Sequence, residues 1–313
     1  MKYFLIRYIQ NMHCRVAMNN KTVSAIITTH NRKELLKKAI DSVLSQTYLD
    51  IECIVVDDAG TDNTKEYIDD YIISDKVNYI YITESMGGNH ARNVGILASH
   101  GDYIAFLDDD DEWLPNKIEK QVAAMNDPEV GFVYCGAIRE KNFDPETRYS
   151  LPLDNKRCLD GDISKEVLIR IIATTSTIMI KHSVLNEVGF FDEQLKFWQE
   201  YELSIRALQT CKSKCIRENL ILYRILETDK NRLSNRIAGW EEAVKYIEEK
   251  HKELFATLST EEEALRQVYV AIDGFGRGKK SRSIKTMIKY AWRVFKDPNC
   301  RRIAIEKYRN RAE

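Results

Sequence analysis

Four consecutive carboxylates follow an apolar run in the segment FLDDDDEWLP, from Phe106 to Pro115. Adjacent carboxylates repel one another and are costly to bury, so such a group indicates a bound cation. Mg²⁺ or Mn²⁺ is the natural one, because both take oxygen ligands and often share them with substrate phosphates. Alternate residues of an extended chain point the same way, so Asp108 and Asp110 can serve one ligand while Asp109 turns elsewhere. The alternative is a solvated acidic turn or the start of a helix.

A second acidic pair ends another apolar run, in the segment IVVDDAGTDNT. Asp57 and Asp58 follow the apolar residues directly, and Thr61 and Asp62 are placed to open a helix. A carboxylate in this position can accept hydrogen bonds from a nucleotide base or a ribose hydroxyl. An acid at the end of a strand is also often a simple cap, so both interpretations stay open for this segment alone.

The residues around these acids predict an α/β sheet. From Val23 onward, short β-branched runs alternate with longer helical stretches, which is the pattern of βαβ units. The predicted strands are VSAIIT, IECIVVDD, KVNYIYIT and DYIAFLDDDD, and helices follow the first three. Open parallel sheets bind ligands beyond the carboxyl ends of their strands. Both acidic groups therefore lie where a ligand site is expected.

Composition, net charge and cysteine spacing favour some classes of protein and argue against others. Of the 313 residues, 44% are hydrophobic and 30% charged, which predicts one sizeable folded core with an appendage. A formal net charge of -1 argues against capture of the whole protein by nucleic acid. The seven cysteines lack paired CxxC spacing, which predicts neither a disulfide framework nor a zinc site and favours a reducing cytoplasm. No GxGxxG follows the first strand, which argues against a nicotinamide dehydrogenase.

Five motifs occur in an order typical of a known family: VSAIITTHNR, VVDDAGTDNT, MGGNHARNVGILASHGDYIAFLDDDDEWLP, GFFDE and WQEYELSIR. Through these motifs the chain resembles the family 2 inverting glycosyltransferases. The resemblance implies the GT-A fold, a Rossmann-like α/β architecture with a mixed nucleotide-sugar-binding sheet flanked by helices. It also implies an enzyme that moves a sugar from a nucleotide diphosphate donor to a hydroxyl of a glycan acceptor, with inversion at the anomeric carbon.

On this basis we predict three parts of the chain. Residues 1–21 form an N-terminal extension that is too interrupted by polar residues to span a membrane. Residues 22–226 form the GT-A catalytic domain, with a nucleotide-binding half at 22–112 and an acceptor-side half at 113–226. Residues 227–313 form a C-terminal helical region that ends in a basic amphipathic tail.

The resemblance implies roles for individual residues. Asp58 would accept a hydrogen bond from a uracil-type base, with Asp57 supporting it, and Arg92 would lie against the nucleotide or the diphosphate. The full nucleotide-binding set that the resemblance implies is Thr28, His30, Arg32, Asp57, Asp58, Arg92 and Asp108. UDP is preferred over GDP or dTDP only by its frequency in the family.

Asp108 and Asp110 match the family's DxD pair, which binds Mn²⁺ or Mg²⁺. Asp110 would be the direct metal ligand, and Asp108 would contact the ribose or the metal. Glu200, in WQEYEL, stands where the family has its catalytic carboxylate, usually an aspartate, and would take the proton of the acceptor hydroxyl. The alternative for Glu200 is a surface helix acid beside Glu202. Leu226 replaces a histidine that in many relatives reaches the metal or phosphate, so a third metal contact is unassigned.

The last forty residues form a strongly basic tail. Six apolar residues recur in it at helical spacing: Ile284, Met287, Ile288, Ala291, Trp292 and Phe295. A basic helix with such a stripe is typical of proteins that lie on an anionic membrane surface. The other interpretation is that the stripe packs on the catalytic domain. Membrane contact through residues 277–311, at the cytoplasmic face of the inner membrane, would suit a glycan acceptor on a lipid diphosphate carrier in surface polysaccharide, O-antigen or capsule synthesis.

Two other classes of protein stay open. A nucleotidyltransferase shares a nucleotide-binding α/β domain and metal carboxylates, but normally has a glycine-rich phosphate loop near the first strand, and THNRKE is not one. A catalytically silent relative that binds nucleotide sugar or glycan as an assembly factor would lack the metal pair or the base, whereas Asp108, Asp110 and Glu200 are all present. The donor sugar, the acceptor, the linkage and the oligomeric state are not determined by the sequence.

Overall fold

The computed structural model describes residues 21–154, 157–226 and 237–309. Residues 1–20 of the predicted extension and the last four residues of the basic tail lie outside the described residues. None of the described helices is long and apolar enough to cross a membrane.

A mixed β-sheet forms the centre of the described chain, with strands in the order β3-β2-β1-β4-β8-β6-β9-β5 and β7 paired to β6. Strands β1 to β4 are mutually parallel where they pair, β6 and β9 are parallel, and the other pairings are antiparallel. The strands are β1 (Val23–Thr29), β2 (Ile51–Asp58), β3 (Asn78–Ile82), β4 (Tyr103–Asp108), β5 (Glu112–Trp113), β6 (Val130–Lys141), β7 (Asp144–Ser150), β8 (Met179–Lys181) and β9 (Lys212–Ile225).

Helices flank this sheet. They are α1 (Lys33–Leu44), α2 (Thr64–Tyr67), α3 (Asp69–Ile73), α4 (Gly88–Leu97), α5 (Lys117–Ala124), α6 (Glu166–Ile169), α7 (His182–Val188) and α8 (Gln199–Ala207). Ala25 and Ile27 of β1 belong to one buried cluster and Ile26 to another, since successive side chains of a strand point to opposite faces. Gly95 lets α4 approach the sheet closely, because a Cβ there would lie 2.5 Å from the Ile26 side chain. The fold class predicted from the sequence, a mixed sheet flanked by helices, is confirmed.

The register brings the carboxyl ends of three strands together. Thr28 of β1 is paired with Val56 of β2 on one side and with Asp108 of β4 on the other, and Thr29 is paired with Asp57. Both acidic groups therefore lie at one edge of the sheet, as the sequence predicts. We call the space at this edge the crevice.

The described residues after position 236 are helical. They form α9 (Ala238–Lys250), α10 (Lys252–Phe255), α11 (Thr260–Lys280), α12 (Ile284–Lys296) and α13 (Pro298–Arg309). Trp240 is completely buried, and its ring lies 5.5 Å from those of Trp198 and Tyr290 in edge contacts. Gly274 of α11 makes room for Tyr290 of α12, since a Cβ at Gly274 would lie 2.6 Å from that ring. The helical region and the sheet domain thus share one core.

The structure separates two faces of α12. Tyr290 is buried and Met287 packs near Gly278, so this face is covered by α11. Four large apolar side chains on another face are between 61% and 68% exposed: Ile284, Ile288, Trp292 and Phe295. We call these four residues the α12 stripe. Of the two interpretations of the tail, packing on the catalytic domain therefore does not hold for the α12 stripe.

Candidate active site

The loop after β1 is tied to the loop after β2 at the edge of the crevice. His30 Nδ1 donates a hydrogen bond to the Asp58 carbonyl oxygen, at 2.6 Å. Asn31 adopts a left-handed conformation with φ of 56°, and its side-chain oxygen accepts a hydrogen bond from the Thr61 backbone N–H at 2.6 Å. These bonds fix the position of His30 beside the second acidic pair, while its ring stays exposed.

Asp57 and Asp58 are both buried, and their carboxylates hold neighbouring loops. Asp57 accepts hydrogen bonds from the Tyr79 hydroxyl and the Gly60 backbone N–H, each at 2.8 Å. Asp58 accepts three, from the Ser85 hydroxyl at 2.8 Å and from two backbone N–H groups, of residues 86 and 87, at 2.8 and 2.9 Å. Asp58 therefore shapes the loop that leads into α4. Its contact with a nucleotide base stays a prediction.

The four acids after β4 divide into two inward and two outward carboxylates. Asp109 and Asp111 are 5% and 1% exposed. Asp109 accepts hydrogen bonds from the Thr29 hydroxyl at 2.8 Å and the Arg32 guanidinium at 3.2 Å. The side chains of Asp108 and Asp110 are 33% and 22% exposed. Asp108 and Asp110 thus lie at the crevice as the sequence predicts, but a turn closed by a hydrogen bond from the Asp111 N–H to the Asp108 carbonyl at 3.0 Å, rather than an extended chain, places them there.

Asp111 links the acidic turn to two distant parts of the chain. It accepts a hydrogen bond from the Ser176 hydroxyl at 2.6 Å and another from the Arg224 backbone N–H at 3.0 Å. The Ser176 hydroxyl oxygen also accepts a bond from the Asp108 N–H at 3.1 Å. Burial raises the pKa of Asp111 well above its usual value, and burial raises the pKa of Asp109 to about 7 although the nearby Arg32 opposes the change.

Each outward carboxylate is paired with an arginine. The Arg92 guanidinium donates to Asp108 at 2.6 Å, and Arg32 lies 3.5 Å from Asp110. Arg92 is buried on α4, packs 5.5 Å from the Phe191 ring and also donates to Asn89 at 3.3 Å. Two cations and two carboxylates therefore face the crevice, a charge pattern suited to a ligand that carries phosphate groups.

The outward carboxylates fit a divalent cation of the Mg²⁺ or Mn²⁺ type. They offer oxygen donors, which such ions prefer, at the end of a rigid strand. Within the described residues, no three His, Cys, Asp or Glu side chains converge as a metal-binding group. A cation held by Asp108 and Asp110 would thus take its other ligands from a substrate diphosphate or water.

Glu200 lies in the first turn of α8 and is partly exposed. Burial raises the pKa of its carboxyl above the usual 4.5, the negative charge of Asp108 raises it further, and the positive charges of Arg92 and Arg277 oppose the change. Glu200 is therefore electrostatically coupled to the pair formed by Arg92 and Asp108. A carboxyl with a raised pKa in a cleft has the properties of a general base.

The family model for glycosyl transferase family 2 matches residues 24–189. The chain belongs to glycosyl transferase family 2. Its α4, which lies within the match, is joined to the segment GFFDE by hydrogen bonds from Asn93 to the Phe191 carbonyl and from Asn89 to the Asp192 carbonyl, each at 2.9 Å. These bonds connect two motifs that lie about a hundred residues apart in the sequence.

Curated relatives of this family 2 chain include an uncharacterised glycosyltransferase of Rickettsia typhi, 36% identical over 65% of the chain and 64% of the relative. The chain thus spans less than two thirds of that relative's length. Another is the UDP-Glc:alpha-D-GlcNAc-diphosphoundecaprenol beta-1,3-glucosyltransferase WfaP of Escherichia coli, 41% identical over 39% of the chain and 48% of the relative.

Solved structures of similar fold include the Staphylococcus aureus protein TarS, residues 1–349, in complex with UDP-GlcNAc. Its TM-score is 0.63, with 17% identity over 87% of the family 2 chain and 79% of TarS. The mannosyltransferase PcManGT of Pyrobaculum calidifontis, in complex with GDP-Man and Mn²⁺, has a TM-score of 0.58 and 17% identity over 88% and 79% of the two chains. These likenesses confirm the GT-A fold.

The predicted site residues fall into two groups in the family 2 chain. The structure brings together His30 with Asp58, Arg32 with Asp110, and Arg92 with Asp108, and the charges of Arg92 and Asp108 act on the pKa of Glu200. Residues of the second group have buried side chains that bind other parts of the protein. Asp57 is the example, since it accepts a hydrogen bond from the Tyr79 hydroxyl. The roles of all these residues in binding or catalysis stay predictions.

Ser176, Arg224 and Arg277 also contribute to the site, and the sequence analysis missed them. Ser176 and Arg224 support the acidic turn from 65 and 113 residues away in the chain. No local pattern marks Ser176. The sequence gives only a weak indication that Arg277 belongs to the site. It stands among glycines in GFGRGKK, but it is also one of many basic residues in the tail.

Glu202, two positions from Glu200, has a structural role. It is fully buried and receives charged hydrogen bonds from Arg206 at 2.8 Å, Lys250 at 2.8 Å and His251 at 3.0 Å. Although burial alone would raise its pKa, the hydrogen bonds from His251 and Arg206 hold it far below the usual value. Glu202 therefore stays ionised and joins α8 to the C-terminal helices.

Replacing Glu202 by glutamine is expected to lower the free energy of unfolding by about 3 kcal/mol or more, because buried cations would lose their counter-charge. Urea denaturation measures the change. Glu261→Gln is the matched control, since Glu261 pairs with Arg302 at 3.2 Å but both side chains are at least half exposed. The control is expected to change the free energy of unfolding by no more than about 0.5 kcal/mol. Equal effects of the two substitutions would contradict the structural role of Glu202.

Proposed function

We propose that the protein is a metal-dependent, inverting glycosyltransferase that moves a sugar from a nucleotide diphosphate donor, preferably a UDP-sugar, to a hydroxyl of a glycan acceptor. The observation that carries this proposal is the pairing of Arg92 with Asp108 at 2.6 Å, beside the electrostatically coupled carboxyl of Glu200. This arrangement combines a phosphate-binding cation, a metal-binding carboxylate and a base at one edge of the sheet. Membership of family 2 supports the same reaction.

In this proposal the donor's diphosphate lies between Arg92 and the outward carboxylates. Arg92 and Arg32 are placed to bind phosphate oxygens, since guanidinium groups match phosphate in geometry and charge. Thr28 and His30, at the end of β1, would line the pocket for the nucleoside together with Asp57 and Asp58. Open α/β sheets bind ligands beyond the carboxyl ends of their strands, which supports this position for the nucleoside.

Asp110 would hold Mn²⁺ or Mg²⁺, with Asp108 as a second contact. When bound, such an ion stabilises the negative charge that builds up on the departing nucleoside diphosphate. The GT-A neighbour PcManGT was solved with Mn²⁺, which supports the choice of ion.

Glu200 would take the proton from the acceptor hydroxyl as the new bond to the anomeric carbon forms. A hydroxyl is a poor nucleophile, so removal of its proton raises its reactivity. The raised pKa of Glu200 suits this task, because a stronger base accepts the proton more readily. Direct displacement from the face opposite the leaving group inverts the anomeric centre.

A donor screen tests the proposed activity. The full-length protein is offered UDP-, GDP- and dTDP-sugars with Mn²⁺, with Mg²⁺ and with a chelator, and donor binding and hydrolysis are measured. We expect one donor to bind and to turn over in a metal-dependent way. Failure of every donor under every condition would contradict the proposal and favour a silent assembly factor.

We further propose that the acceptor is a glycan on a lipid diphosphate carrier, used at the cytoplasmic face of a membrane in surface polysaccharide synthesis. The relative WfaP, by its name, acts on a sugar linked to diphosphoundecaprenol. The α12 stripe supports membrane contact within residues 277–311, because four large apolar side chains stand exposed on a helix rich in lysine and arginine. An apolar face beside basic residues matches an anionic lipid surface.

Replacing Ile288 and Trp292 together by serine is expected to weaken binding to vesicles of phosphatidylcholine and phosphatidylglycerol by about tenfold or more. Each side chain contributes roughly 1.5–3 kcal/mol when fully buried, and 1.4 kcal/mol is a factor of ten. Vesicle flotation measures binding. Point substitutions are preferable to deletion of the tail, because deletion would remove Tyr290 from the core.

The matched control for the α12 stripe replaces Leu49 and Leu97 by serine, since these apolar side chains are 89% and 73% exposed but lie outside α12. The control is expected to bind vesicles like the unaltered protein. Binding that needs neither the α12 stripe nor anionic lipid would contradict membrane docking. Concentration-dependent dimerisation through the same residues, without vesicle binding, would assign the stripe to a second copy of the chain instead.

A further inference from the structure

Arg277 of α11 lies at the junction between the C-terminal helices and the crevice. Its guanidinium carbon is 5.1 Å from the centre of the Trp240 ring and 5.6 Å from that of Phe197. Its Nε donates a hydrogen bond to Asp273, one helical turn earlier, at 3.2 Å. The side chain is 11% exposed. A cation held on two aromatic rings in this way is largely shielded from water, and its charge acts strongly on its neighbours.

The aromatic contacts lead to Glu200. Trp198 stands two positions before Glu200 and begins α8 in the left-handed region, with φ of 57°. Such a conformation costs energy for a large side chain and persists only when the surroundings hold it. The Trp198 ring meets the Trp240 ring at 5.5 Å, and Trp240 in turn carries the Arg277 guanidinium. The turn that presents Glu200 is thus held from the C-terminal side.

Charge supports the same conclusion. The groups whose charge acts on the Glu200 carboxyl include Arg92 of α4, Asp108 of β4 and Arg277 of α11. Burial raises the pKa of this carboxyl, and the positive charges of the two arginines lower it. Arg92 belongs to the sheet domain and Arg277 to the C-terminal helical region. Through Arg277, the C-terminal helices therefore add a positive charge that acts on Glu200 at the crevice.

We propose that Arg277 is a positioning residue for sugar transfer. Its guanidinium holds the turn at Trp198 and orients the Glu200 carboxylate toward the acceptor hydroxyl. This inference rests on the proposed role of Glu200 as the base. If Arg277 has this role, the C-terminal helical region takes part in positioning the base. This role is independent of any contact between the region and a membrane. The competing explanation is that Arg277 only stabilises α11 through Asp273.

The test compares Arg277→Gln, Arg277→Lys and Asp273→Asn in the full-length chain. With the donor that the screen identifies, Arg277→Gln is expected to lower kcat for transfer about 10- to 100-fold, because a small misplacement of a reacting group can cost about 100-fold. The dissociation constant of the donor should change by no more than about twofold, since the proposed donor site lies against Arg92 and the outward carboxylates. Arg277→Lys, which keeps the charge, should lie between Arg277→Gln and the unaltered protein.

Two controls separate positioning from stability. Asp273→Asn removes the ion pair but leaves Arg277 on its aromatic rings, so kcat should stay within about twofold of the unaltered value. Lys252→Gln removes one positive charge from an exposed position on α10, where the side chain is 66% exposed, and should also leave kcat unchanged. The melting temperature of each variant is measured alongside, and where Arg277→Gln fails to fold, Arg277→Lys provides the comparison.

Full activity of Arg277→Gln, or of Arg277→Lys where only that variant folds, would overturn the inference. Equal losses of kcat and of melting temperature in Arg277→Gln and Asp273→Asn would overturn it too, because they would assign Arg277 to the ion pair. Absence of transfer by the unaltered protein with every donor would contradict the proposed function as well. Transfer by the unaltered protein together with a fully active Arg277→Gln would contradict only the role of Arg277.

Discussion

Replacing Glu200 by glutamine is expected to lower kcat for sugar transfer by about 100- to 10,000-fold, the usual contribution of a general base. The amide keeps the size of the side chain but cannot accept the proton of the acceptor hydroxyl. Donor binding should be unchanged within about twofold, because the proposed donor site lies against Arg92 and the outward carboxylates. Transfer is followed with acceptor present, and donor binding by calorimetry.

The pH dependence of kcat gives a second measure of Glu200. The base must be ionised, so activity is lost as the pH falls through its pKa. Because burial raises that pKa, the acid limb is expected above pH 4.5, the usual value for a glutamate. The limb should disappear in the residual activity of Glu200→Gln.

Glu200→Asp keeps a carboxylate and should retain more activity than Glu200→Gln, since the family more often has an aspartate at this position. The matched comparison is Glu202→Gln, in which stability falls through the loss of buried ion pairs with Arg206 and Lys250. Glu200→Gln should melt close to the unaltered protein. A fully active Glu200→Gln would contradict the assignment of the base and return Glu200 to an ordinary helix acid.

Replacing Asp110 by asparagine is expected to lower metal-dependent donor turnover by on the order of 1,000-fold. A bound cation stabilises the departing diphosphate by several kcal/mol, and each 1.36 kcal/mol is a factor of ten in rate. The asparagine keeps the size of the side chain but removes the charge that a divalent ion needs. Turnover is titrated with Mn²⁺ and with Mg²⁺, and the half-saturating metal concentration should rise strongly.

Asp102→Asn is the control for Asp110→Asn, because Asp102 lies at the opposite end of β4 and pairs with Lys21 at 2.7 Å. It should leave both turnover and metal dependence unchanged. Turnover by Asp110→Asn that is as fast and as metal-dependent as that of the unaltered protein would contradict the metal site. Donor turnover that a chelator leaves intact in the unaltered protein would contradict metal dependence altogether.

Local patterns in the sequence predict the sheet and the placement of the acids. The alternation of apolar runs and helices predicts the parallel strands β1 to β4, because this alternation is the pattern of βαβ units. The sequence analysis also separates Asp109 from Asp108 and Asp110, and Asp109 does turn inward, in contact with Thr29 and Arg32. The separation arises in a turn closed by the Asp111 N–H and the Asp108 carbonyl, however, and not in an extended chain.

The sequence by itself therefore determined the class of fold, the edge of the sheet that holds the site and the types of residue there, since short-range periodicity and strand ends express these directly. Only the tertiary structure decided that Ser176 supports the acidic turn, that Arg277 lies on the Trp240 ring and that Glu202 is structural. The α12 stripe is a further case, because Gly274 lets Tyr290 face inward and leaves the stripe exposed. These features depend on contacts between distant parts of the chain, which no local spacing encodes.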